Sequence, residues 1–151
     1  HEGEAHHRQE DESGLMRFTT SRRPSPRARR LARIVASFLG AGYMTRGKSG
    51  LDDGDEVWMV VVEEHGNPSG LARRSCGEEK ILRFAVSVEG EPKRLGMDRP
   101  VVVGTGKSVR DVAEFFGLDF SPEGAAGREI RVGDDRVDFV DGEDLILRLK
   151  I

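Results

Sequence analysis

The run from Ser25 to Gly40 restricts the fold more than any other part of the chain, because it admits little but an amphipathic helix. Ser25 offers a hydroxyl to an orphan backbone N–H, and Pro26 at the first helical position loses nothing by lacking one. Ala28, Leu31, Ala32, Val35, Phe38 and Leu39 then recur at three and four residues, and Gly40 closes the helix. Arg27, Arg30 and Ser37 leave that stripe toward solvent, with Arg29 and Arg33 flanking it. On either side, Arg17 to Ser21 and Tyr43 to Arg46 are β-prone, so the segment reads as a strand, a helix and a second strand in parallel crossover.

Charge makes this helix unusual. Nine Arg and Lys and no Asp or Glu lie between Met16 and Gly50, inside a chain of net charge −3. A helix N-terminus is the positive end of the macrodipole, yet Arg22, Arg23, Arg27, Arg29 and Arg30 surround this one. Each cation there costs about 0.3–1 kcal/mol unless an anion binds. N–H groups, a positive dipole end and guanidinium forks together form a site suited to phosphodiesters. A merely solvated basic face would not need this placement.

The rest of the 151 residues builds around that unit. Val57 to Val62 form a nearly continuous apolar run within Glu56–Glu63, the pattern of a central strand buried on both faces. The residues 64–70 read as a turn, and Leu71–Cys76 with Lys80–Val88 as a hairpin. After a linker at 89–99 the plan repeats: Val101–Val103 as a strand, then a helix opened by a Ser108 cap with Asp111 and closed by Gly117. Strands follow at 129–132, 136–140 and 144–151. The chain thus reads as α/β, of the α+β mixed-sheet kind, with two similar strand-helix-strand halves at 16–88 and 100–151 sharing one sheet in a single domain. Residues 1–15 read as a flexible acidic tail.

Composition excludes several classes. The single cysteine, Cys76, allows no internal disulfide and points to an intracellular, cytoplasmic protein. No apolar run approaches the ~20 residues of a membrane span. Only one Asn and one Gln occur in a chain that is 34% charged, a thermophile-like balance. Val103-Gly104-Thr105-Gly106-Lys107-Ser108 imitates a phosphate loop, but Val101 stands where the first glycine is required. No Asp is positioned to make Cys76 and His65 a catalytic pair, and no catalytic residue, cofactor or metal ligand is expected. Asn67, by contrast, can both donate to and accept from a base edge or a 2′-hydroxyl. In open α/β sheets ligands bind at the carboxyl edge of the parallel strands, where the turn after Ser21 and the turn with Arg46 and Lys48 fall, and the loop with His65 and Asn67 joins them if its strand is also parallel.

At this point the chain resembles the Brix-domain family, in its short archaeal form akin to the ribosome-assembly factor of the small-subunit processome. The likeness rests on Thr19-Thr20-Ser21-Arg22-Arg23-Pro24-Ser25 before an Arg-rich helix, then Arg46-Gly47-Lys48, then Glu64-His65-Gly66-Asn67-Pro68-Ser69-Gly70-Leu71. In eukaryotic members the Gly-Leu segment leads into His-Leu-Pro-x-Gly-Pro-Thr, where this chain has Arg73-Arg74-Ser75-Cys76-Gly77-Glu78-Glu79. The resemblance implies two α/β halves akin to anticodon-binding domains of some tRNA synthetases. It also implies binding of rRNA or its precursor during processing and small-subunit assembly, with ribosomal or other assembly proteins as partners and no small-molecule substrate. The expected RNA-binding residues are Arg22, Arg23, Ser25, Arg27, Arg30, Arg46, Lys48, His65 and Asn67. Two rival readings are a module whose acidic remainder docks a basic ribosomal protein, and a nucleotide-binding enzyme built on Gly106-Lys107-Ser108.

Overall fold

The computed structural model describes residues 16–45, 57–92, 99–123 and 127–151. Its strands are β1 (Met16–Thr19), β2 (Gly42–Tyr43), β3 (Val57–Glu64), β4 (Asn67–Ser75), β5 (Glu78–Arg83), β6 (Ala85–Glu89), β7 (Val101–Gly104), β8 (Arg128–Val132), β9 (Arg136–Asp141) and β10 (Asp144–Lys150). The helices are α1 (Pro26–Leu39) and α2 (Ser108–Phe116). They assemble into two five-stranded mixed sheets, ordered β2-β1-β3-β4-β5 and β6-β10-β9-β8-β7.

The expectation of one shared sheet is therefore corrected, and the reason lies at Phe84. The strand expected at Lys80–Val88 is two strands, because Phe84 turns inward, 8% exposed, and donates its N–H to Ser69 O at 3.0 Å. Beyond it β6 leaves the first sheet and pairs with β10 of the second. Gly90 then donates to Ile146 O at 2.9 Å, and a Cβ at that position would lie 2.8 Å from the same oxygen.

The halves repeat each other closely. β1 pairs in parallel with β2 and β3, and β7 pairs in parallel with β8. The place of β2 is taken in the second half by a single parallel bridge between Val102 and Phe120. Both helices end on a left-handed glycine, Gly40 and Gly117, whose successors Ala41 and Leu118 donate to Ala36 O and Ala113 O at 2.8 and 2.9 Å. That double closure satisfies carbonyls the helix itself leaves open.

One apolar core joins the halves. Phe18, Leu31, Val35, Phe38 and Met59 from the first half are continuous with Val102, Val112, Phe116, Ile130 and Phe139 from the second. Phe139 receives Phe38 and Phe116 edge-on at centroid distances of 5.3 and 5.9 Å.

Two turns differ from expectation. Ser108 is not a cap: Lys107 holds that position in helical conformation without a side-chain bond, and Ser108 is the first helical residue. The segment 64–70 is mostly strand, turning only at His65 and Gly66, with φ of 54° and 80°. Such a pair of left-handed residues matches the twist of the flanking strands. The register shifts between Val62 and Glu63, which leaves Ser69 as an extra residue and admits Pro68 opposite Glu63.

Candidate functional site

Because β3 runs parallel to β1, the carboxyl ends of both strands open on the same edge as the start of α1. Ser25 caps that helix as expected, its Oγ accepting from Ala28 N at 3.1 Å. The first turn contains no acidic residue. Instead β3 supplies one across the sheet edge, where Glu63 Oε2 accepts the N–H of Ser25 at 3.1 Å. This carboxylate offsets part of the positive dipole end, a compensation hidden from local sequence because it comes from 38 residues away.

Arg27 and Asn67 meet at the same place. The Arg27 guanidinium donates to Asn67 Oδ1. Since guanidinium only donates, this contact fixes the amide with its oxygen toward Arg27 and its NH2 turned away. Asn67 is exposed and begins β4 directly opposite Glu64, rather than lying in a loop. His65 is exposed at the tip of the turn, while Arg22 and Arg23 are exposed in the bend preceding α1.

Arg30 behaves differently. Its Nε lies 2.7 Å from Glu89 Oε2, and its Nη2 reaches both Glu91 and, at 3.1 Å, the carbonyl of Gly90. It ties α1 to the end of β6 and is already charge-compensated. Arg46 and Lys48 lie outside the described residues.

Sequence reasoning missed Glu63 and underrated Arg29 and Arg33. Both arginines are exposed, and Arg33 lies over the Tyr43 ring at 5.4 Å. Superposing the helix ends shows why these cations matter. Counted back from Gly40 and Gly117, Ser108 of the 9-residue α2 corresponds to Leu31 of the 14-residue α1. The Pro26 to Arg30 extension has no counterpart in the second half, and of its five residues only Ala28 is buried in the core.

Among the described residues no group of three or more His, Cys, Asp or Glu could hold a metal, and no helix is long and apolar enough to cross a membrane. Gly104 departs from glycine's phosphate-cradling role, since a Cβ there would collide with Val132 O of β8. The glycine serves strand packing.

No family model matches the chain. Curated relatives do. A protein of Methanosarcina barkeri named a probable Brix domain-containing ribosomal biogenesis protein is 31% identical over 132 residues, 82% of this chain and 77% of that one. A Methanococcoides burtonii protein of the same name is 29% identical over 90% of this chain and 94% of its own length. Among solved structures, Mil, an archaeal Imp4-like protein, superposes with a TM-score of 0.73 at 27% identity, covering 90% of this chain and 96% of that one. A probable ribosomal biogenesis protein from Aeropyrum pernix K1, at 24% identity and TM-score 0.65, shares the fold. With relatives above 30% identity matched over most of their length, and with both halves of the fold reproduced, the chain belongs to the Brix-domain family.

Proposed function

We propose that this protein is a ribosome-biogenesis factor that binds rRNA or its precursor at the start of α1 and the adjoining β3–β4 turn. The observation that carries this reading is the basic extension of α1: exposed Arg22, Arg23 and Arg27 gather at a positive helix end, and Arg27 orients Asn67 beside them. The names of the archaeal relatives supply the ribosomal context. Phosphates held by the arginines would position the RNA, while the Asn67 NH2 would donate to a base carbonyl or a 2′-hydroxyl oxygen. Binding, not bond-breaking, is the work assigned to these residues.

Binding of structured rRNA fragments should weaken steeply with salt. With Arg46 and Lys48 added to Arg22, Arg23 and Arg27, neutralising ~4–5 phosphates gives a log–log slope of about −3 to −5 by counterion release. Fluorescence anisotropy across a salt series measures it, and a salt-insensitive affinity contradicts the reading.

A further inference from the structure

Further along α1, an open groove of about 540 Å³ is lined by Pro26, Arg27, Arg29, Arg30, Arg33 and the wall Glu91–Pro92. We infer that this groove is a second RNA-backbone subsite, in which Arg29 and Arg33 take phosphates while Glu91, paired with Arg30 on the opposite wall, holds a negative charge in the groove that opposes a bound polyanion. The inference rests on the RNA-binding reading above and extends it to residues that reading does not use.

The charge balance within the groove supports it. Among the described residues, Arg30 alone of the groove's arginines has acidic partners, Glu89 and Glu91. Arg27 faces a neutral amide and Arg33 a neutral ring. Among the described residues Arg29 has no acidic partner. Three guanidiniums thus share one groove with uncompensated charge, an arrangement a bound polyanion relieves. Spacing fits as well: Arg27 and Arg33 are six residues apart, about 9 Å along the helix axis, so a strand entering at Arg27 can continue along the groove. Glu91 is 72% exposed on its side chain, so it can be displaced, whereas Glu89, at 18%, anchors Arg30 more deeply. The ligand is therefore a single-strand sugar–phosphate backbone crossing from the Arg27–Asn67 site toward the linker.

The test uses the full chain and a short labelled single-stranded RNA of mixed sequence, titrated across salt. An Arg29→Gln, Arg33→Gln variant should flatten the log–log slope by about 0.7 per arginine, the single-strand value. Glu91→Gln should raise affinity severalfold, and more than Glu78→Gln, which makes the same charge change at the β4–β5 turn, the end of β4 opposite Asn67. An unchanged slope in the double variant with an unaltered Tm, or equal gains from the two glutamate changes, overturns the groove. If Arg27→Gln weakens binding while the Arg29, Arg33 variant does not, only the groove fails. If the unaltered chain binds no RNA, the functional reading fails with it.

Discussion

Asn67 has its carbonyl oxygen engaged by Arg27, so only its NH2 group faces outward. In the proposed interface Arg27 would carry the charge and Asn67 the selectivity, and the two should fail differently on substitution. Asn67→Ala removes a hydrogen-bonding group but no charge, so affinity for a preferred RNA should fall by about 1–2 kcal/mol with the salt slope intact. Arg27→Ala should weaken every RNA alike and flatten the slope by roughly one phosphate. Since Asn67 pairs with Glu64 at a tight turn, a melting curve for Asn67→Ala comes first. A variant that folds normally and binds all RNAs unchanged removes Asn67 from the interface.

At the scale of elements, the start of α1 is a strained junction between cations and a positive dipole, relieved only in part by Glu63. Sulfate should therefore raise the Tm more than chloride at matched ionic strength, through binding to the folded state. Sulfate also strengthens burial in general, so the comparison is with an Arg22→Ala, Arg27→Ala variant; equal responses in a thermal melt exclude the anion site. Much of this element was legible in sequence: the Ser25 cap, the Pro26 start and the Gly40 stop are local chemistry, and the helix spans 26–39 as the apolar spacing requires. Glu63 and the Arg30–Glu89 pair were not legible, because both depend on which strand lies beside which. Ser108 misled for another reason. A cap-forming side chain specifies only a preference: the backbone is already helical at Lys107, with φ −75° and ψ −32°, so Ser108 stands inside the helix rather than ahead of it. The exchange at Phe84 was equally hidden, since alternation along β5 and β6 shows burial but not which sheet provides it.

Across the whole molecule, the two halves complete each other at their helix ends. Neither helix has a basic residue in its last turn, although a C-terminus carries the negative end of the dipole. Each helix end receives a cation from the opposite half, and at α2 Arg99 adds a second by donating to Gly117 O at 2.6 Å. Arg128 on β8 donates to Phe38 O of α1, and Arg73 on β4 donates to the carbonyls of α2, reaching Glu114 O at 3.0 Å. Arg128 is 8% exposed, so Arg128→Ala strands a buried carbonyl, leaves a void and should cost about 3 kcal/mol. Arg73 is half-buried, water can replace it, and Arg73→Ala should cost about 1 kcal/mol. Where the loss is felt matters more than its size. Trp58, the sole tryptophan, sits on β3 in the first half, whereas Arg128 belongs to the second. With one continuous core and exchanged caps, urea unfolding should be a single transition, and Arg128→Ala should lower the Trp58 fluorescence midpoint and the circular-dichroism midpoint together. A fluorescence midpoint that stays fixed while the circular-dichroism midpoint falls would mean that the halves unfold separately, and the exchanged arginines would then not couple them.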